Sequence, residues 1–247
     1  MRTPIIHSHR FAMQIIDSTP ELRSLFDEIL STITEISDDE IVKEFEKLKQ
    51  GPPNKRTRSG IDELEEDDAV GSKMSISASI NNLIDRKLVD RAWVKQAALF
   101  QGQEYSSGTR WRLDFSKTVK LEDSTQDELE GYKYSGMAIE VAFNHGEAIA
   151  WNLLKPVMAA ELNHVDKQVD IGAGIGIVIT ATDAMRKAGG FDNSVGTYEK
   201  FLRYLKPMRN QLTVPMLILG LEPPETFLIK KKKNPVTGKN EGLVVAI

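Results

Sequence analysis

Two carboxylates sit in apolar, strand-forming surroundings, Asp114 between Leu113 and Phe115, and Glu140 between Ile139 and Val141. An acid inside a strand pattern either faces water or is held inside for a reason. Two such acids on neighbouring strands repel each other unless a cation lies between them. Mg²⁺ suits that setting, because it takes one or two carboxylates, keeps several waters and accepts oxygen from a phosphate. The chemistry open to such a pair is hydrolysis at phosphorus, with the ion activating water and stabilising charge on the phosphoryl group. Alternating strands also present acids to water, so the pair alone leaves a solvated reading open.

Other groups that carry chemistry give weaker patterns. Gly172-Ala173-Gly174-Ile175-Gly176 lacks the spacing of a dinucleotide fingerprint and lies inside a strand pattern, so close packing of a helix explains it better. His7, His9 and His164 have no paired ligand spacing and read as hydrogen-bonded structural groups, whereas His145 follows the glutamate strand closely enough to act beside it. The run Lys230-Lys231-Lys232-Lys233 with Lys239 is equally readable as a protected edge strand and as a phosphate contact. With no cysteine, thiolate metal sites, disulfides and cysteine nucleophiles are excluded, and a reducing, cytoplasmic setting is expected. The opening residues show no signal-peptide apolar region, and no apolar run is long enough to span a bilayer. A net charge of −4 argues against a uniformly basic nucleic-acid binder but leaves local patches free to bind.

The elements that must position the acids follow from periodicity. Residues 4–7 read as a strand or extended lead-in. Ser18-Thr19-Pro20-Glu21 starts a helix to about Ile36, with Leu22, Leu25, Phe26, Ile29, Leu30 and Ile33 on one face. Ser37-Asp38-Asp39-Glu40 starts another. Residues 51–73, proline-rich and basic and then acidic, read as a surface insertion. A helix spans Ser77 to Val89, and strands follow from Trp93 to Phe115. Residues 118–136 read as a polar excursion between two sheet strands. After the Ala138–Phe143 strand comes a helix from Ile149 to Val165, with Trp151, Leu154, Met158 and Leu162 on one face and Pro156 as a kink point. Val169 to Thr180 is a buried strand, 181–196 is looser, Tyr198 to Met208 is helical, and Val214 to Gly220 is a strand. Residues 225–247 form a hairpin. The expected class is α/β, a central mixed β-sheet flanked by helices, in a single domain over 1–247.

Taken together, the pieces resemble the BglII/BstYI branch of type II restriction endonucleases, within the PD-(D/E)XK nuclease superfamily. The resemblance is carried by Ile5 to His9 with the Pro20–Ile33 helix, by Met74-Ser75-Ile76 through Trp93, and by Leu113 to Lys117. It continues in Ala138 to Asn144, Gly196-Thr197-Tyr198-Glu199 and Val214-Pro215 to Gly220. It implies a restriction-endonuclease-like fold and a homodimer that clamps double-stranded DNA and cuts a short palindrome with Mg²⁺. Asp114, Glu140 and the backbone carbonyl of Val141 would be metal ligands. Asp183, Arg186, Lys187, Asn193, Ser194 and Thr197 would be candidates for base contacts, having suitable donors and acceptors.

Two departures stand out. The family pattern puts a polar residue two positions after the glutamate, where this chain has Ala142. The site then works with two carboxylates, or Asn144, His145 or Glu147 substitutes, or activity is reduced. The spacing from Asp114 to Glu140 is also long, so 118–136 must loop out; Glu128 or Glu130 is a competing first acid. A cleavage-deficient DNA-binding protein on the same scaffold is the alternative function, and a repair or structure-selective nuclease is a third.

Overall fold

Local signals set the helices that flank the sheet. The computed structural model describes residues 1–50, 74–102, 105, 111–121, 134–161, 169–172, 174–233, 235, 238 and 240–247. Strand β1 (Ile5–His9) is followed by α1 (Ala12–Ser18), α2 (Pro20–Thr34), α3 (Asp38–Gln50) and α4 (Ser77–Asp90). At the start of α3 the Ser37 hydroxyl accepts from the Glu40 amide while the Glu40 carboxylate accepts from the Ser37 amide, a reciprocal capping box. At the start of α2 Thr19 holds the N-cap position without a side-chain bond, and Pro20 in the first turn sets the entry.

The sheet follows with β2 (Val94–Ala98), β3 (Arg112–Lys120), β4 (Tyr134–Val141), β5 (Ile175–Ala181) and β6 (Met216–Leu221). Between these lie α5 (Ile149–Glu161), α6 (Asp183–Ala188) and α7 (Tyr198–Leu205). The strand order is β1-β6-β5-β4-β3-β2. β4, β5 and β6 run parallel, and β1, β3 and β2 pair antiparallel, so the sheet is mixed as expected. A separate two-stranded sheet of β7 (Phe227–Lys233) and β8 (Asn240–Ala246) forms the hairpin foreseen for the tail.

Each face of the sheet has its own cover. α2 and α4 bring Phe26, Ile29, Ile80 and Ile84 onto Ile139, Ile177 and Leu217. On the other face α5 and α7 bring Ile149, Leu153, Phe201 and Leu205 onto Ala142, Val178 and Ile218. The small residues of β5 serve this packing: a Cβ on Gly176 would stand 2.7 Å from the Cβ of Pro156 on α5.

Several boundaries differ from the sequence expectation. β3 runs to Lys120 and β4 starts at Tyr134, with Lys120 opposite Tyr134. The excursion is therefore narrower than 118–136, because alternation in Thr118-Val119-Lys120 and small residues at 135–136 suit a ladder. Residues 122–133, with Glu128 and Glu130, lie outside the described residues, as do 51–73, His164 and Lys239. β5 begins at Ile175, with an isolated bridge at Gly172 before it. The looser stretch contains α6, whose N-cap Thr182 accepts from the Met185 amide. α5 continues through Pro156, and its inward side is Ile149, Asn152, Leu153, Lys155, Pro156 and Ala159. Trp151, Leu154 and Met158 are half-buried.

Candidate active site

The β3–β4 register decides whether the two acids meet. Phe115 pairs with Ile139, the last pair of the β3–β4 ladder; just beyond it the Asp114 carboxylate takes the Val141 amide, and its charge bears on Glu140. Glu140 pairs with Val178 of β5 and meets Lys155 of α5. Glu140 is 2 % exposed beneath that helix.

Each carboxylate is held differently. Asp114 Oδ2 accepts from the Val141 amide at 2.8 Å, and Oδ1 accepts from Gln96 Nε2 at 3.2 Å. Gln96 has φ 51° within strand β2, a left-handed conformation that costs an ordinary residue of order 1–3 kcal/mol. Its own carbonyl accepts from Arg112 Nη1 at 3.0 Å. Glu140 Oε2 lies 2.5 Å from Lys155 Nζ, whose other partner is the Arg112 carbonyl at 3.1 Å. Glu140 Oε1 is buried with no partner.

The electrostatics follow from that burial. Desolvation pushes the Glu140 carboxyl up to about 8 and the Asp114 charge adds to the rise; Lys155 opposes it, and so, more weakly, does the Asp114 backbone amide, which lies near the carboxylate without making a well-aligned bond to Oε1. Desolvation also raises Asp114, against the pull of Lys155 and the donors from Val141 and Gln96. Two raised acids side by side are the mark of a site prepared for a compensating charge. Among the described residues no group of three or more His, Cys, Asp or Glu side chains could hold a metal ion, so the protein side chains available to a cation here are these two. The donor set is hard oxygen, and the partnerless Oε1 fits an oxygen-seeking divalent ion.

The remaining candidates scatter. Ala142 is buried with Ile149 and Leu153, so the third motif position carries only a packed methyl group. Asn144 Oδ1 accepts from Asn152 Nδ2 at 3.2 Å, and His145 Nδ1 is 2.6 Å from Ser194 Oγ. Neither is hydrogen-bonded to Asp114 or Glu140. Lys187, Asn193 and Ser194 are exposed. Arg186 is engaged with Asn193 Oδ1 and lies 3.6 Å from Asp183 Oδ1. Thr197 is fully buried and is withdrawn as a base contact. As foreseen for a structural histidine, His9 Nε2 bonds the Leu212 carbonyl at 3.2 Å.

Sequence reasoning missed Lys155, Gln96 and Asn152. One signal was available: Lys155 is the single charged residue between Glu147 and Glu161. Nothing local marks Gln96, because its role depends on β2 pairing with β3.

Two acids thus lie on adjacent antiparallel strands of a mixed sheet, and Lys155 of the helix that follows reaches one of them. The sequence model of the restriction endonuclease BglII/BglIII family matches residues 5–221, and the chain belongs to that family. It is a type II site-specific deoxyribonuclease. A crystal structure of restriction endonuclease BglII complexed with a DNA 16-mer is similar over 100 % of both chains at 16 % identity, with a TM-score of 0.56, which shows a shared fold. Free BglII, also at 16 % identity and 100 % coverage of both chains, gives a TM-score of 0.44. No curated protein matches the chain in sequence. Among the described residues no helix is long and apolar enough to cross a membrane.

Proposed function

We propose that the protein acts as a homodimer that cuts both strands of double-stranded DNA at a short palindrome, with Mg²⁺ held by Asp114, Glu140 and the backbone carbonyl of Val141. The observation that carries the metal site is the buried, partnerless Oε1 of Glu140 beside Asp114. A fold leaves a buried carboxylate oxygen without a donor only at a cost, which a bound cation removes.

The chain's own residues divide the work. Asp114 is oriented by the Val141 amide and Gln96, and Glu140 by Lys155. When bound, Mg²⁺ supplies Lewis-acid stabilisation of the phosphoryl oxygens and lowers the pKa of a coordinated water. α5 and the small Ala142 keep the floor of the site dry, which strengthens each charge interaction there. Exposed Lys187, Asn193 and Ser194, with Asp183 and Arg186 beside them, are the candidates to read bases, and His145 ties their loop to the end of the glutamate strand. BglII itself has been crystallised with DNA, and a two-fold dimer of such chains reads a sequence with matching two-fold symmetry.

The test is cleavage of plasmid and genomic DNA with Mg²⁺, followed by sequencing of the fragment ends and sedimentation of the free protein. One short palindrome at the ends, a dimer in solution, and loss of cutting in Asp114→Ala and Glu140→Ala are expected. A smear of ends, a monomer that cuts normally, or retained activity in both variants would overturn the reading.

A further inference from the structure

We infer that Lys155, carried on α5, is the residue that takes over the position left empty at Ala142, by fixing Glu140 for the cation. This rests on the metal-site reading above and extends it to a residue outside the strand motif.

Lys155 is 7 % exposed and its Nζ lies 2.5 Å from Glu140 Oε2. Burying a lysine is costly unless its charge is met, and a buried ion pair is weak evidence of stabilisation in itself. The same sheet shows what a structural lysine–glutamate pair looks like. On its opposite face Lys117 Nζ bonds both oxygens of Glu28, at 2.9 and 2.8 Å, and the Arg91 carbonyl, while Trp93 Nε1 donates to Glu28 Oε2. Every oxygen of that carboxylate is satisfied. Lys155 instead holds one oxygen of Glu140 and leaves the other buried without a donor. A latch built for stability would use both.

The surroundings explain why the group comes from a helix. Position 142 shares a strand face with Glu140, but Ala142 is packed under Ile149 and Leu153. Ala142 is 1 % exposed, so a longer side chain there would have to displace that packing. α5 lies close on the sheet because Gly176 admits Pro156, and the residue before that proline is Lys155. The ammonium therefore arrives from a packed element, anchored also by the Arg112 carbonyl at 3.1 Å. Its charge fixes which oxygen of Glu140 remains free, and it offsets the repulsion between the two acids before a cation enters. Lys155 is in this sense a positioning residue.

The experiment compares Lys155→Met, which keeps the length, and Lys155→Gln, which keeps a donor without the charge. Three quantities are read: Mn²⁺ affinity by titration of the DNA-free protein, DNA affinity in chelator, and single-turnover cleavage of a duplex carrying the mapped site. A positioning role predicts cleavage lower by about 100-fold, as for partners that orient metal ligands, in both variants. DNA affinity stays within about threefold of the parent. Mn²⁺ binds about threefold or more tightly, because a positive charge beside two carboxylates has been removed. Tighter metal binding with slower cutting is a combination that mere loss of structure does not give. The inference is overturned if either folded variant cleaves within about threefold of the parent, or if Mn²⁺ binding weakens in step with activity. Asp114→Ala runs alongside: if it cuts normally, the metal-site reading falls and this one with it, whereas an inactive Asp114→Ala beside an active Lys155→Met overturns this inference alone.

Discussion

Replacing Glu140 with glutamine should stabilise the metal-free protein while abolishing its cleavage. The carboxyl is 2 % exposed, and burial with the Asp114 charge raises it from 4.5 to about 8. In the unfolded chain the same group loses its proton near the ordinary value, whereas the folded chain keeps it until about 8. Between those values the unfolded state binds fewer protons, so stability falls as pH rises. Below the lower value both states are protonated and the penalty vanishes. Above about pH 8 it is complete, and at about 1.4 kcal/mol per decade it reaches a ceiling of about 5 kcal/mol. Glutamine keeps the shape and does not titrate. Lys155 retains its bond to the Arg112 carbonyl and its attraction to Asp114. Denaturant unfolding in chelator is the assay, run near pH 5 and near pH 8.5. The two proteins should differ by no more than about 1 kcal/mol at the lower pH, and Glu140→Gln should be more stable by about 3–5 kcal/mol at the higher. Equal pH dependence in both proteins, or a less stable variant at high pH, would refute the reasoning.

Other outcomes follow from the same geometry. Gln96→Gly relieves the φ of 51° but removes a donor to Asp114, so stability should hold while cleavage drops by about 10–100-fold; a parallel loss of both would show that the strained residue serves only folding. Lys117→Met leaves Glu28 and the Trp93 contact without their cation and should cost about 1–3 kcal/mol in thermal or chemical unfolding, with the rate of DNA cutting at low temperature unchanged. Gly176→Val forces α5 off the sheet at Pro156, so unfolding should detect a loss of about 1–3 kcal/mol and cleavage should fall because Lys155 moves with the helix. Affinity for DNA, measured against salt, should fall steeply as ionic strength rises, and a flat response would count against phosphate contacts.

The helical half of the fold was legible because its signals are local. Ser37-Asp38-Asp39-Glu40 starts a helix, as read, and the apolar face from Leu22 to Ile33 is the face that packs. The two acids were legible for a related reason: an acid flanked by Leu and Phe, or by Ile and Val, conflicts with its strand unless something uses it. The length of the β3–β4 hairpin was harder, since a polar stretch such as Thr118 to Lys120 pairs as readily as it loops. Thr197 looked like a donor for bases because a hydroxyl in sequence carries no sign of burial, and in the fold it is fully buried at the N-cap of α7. Lys155 escaped notice because the group that completes Glu140 sits 15 residues further along the chain and reaches it only through the helix crossing.

The central claim is that Asp114 and Glu140 share one divalent cation. Anomalous diffraction from crystals grown with Mn²⁺ and a DNA duplex tests it most directly. The account predicts a manganese peak within ligand distance of both carboxylates, absent in Glu140→Ala. A peak held by other residues, with none between these two acids, would contradict it.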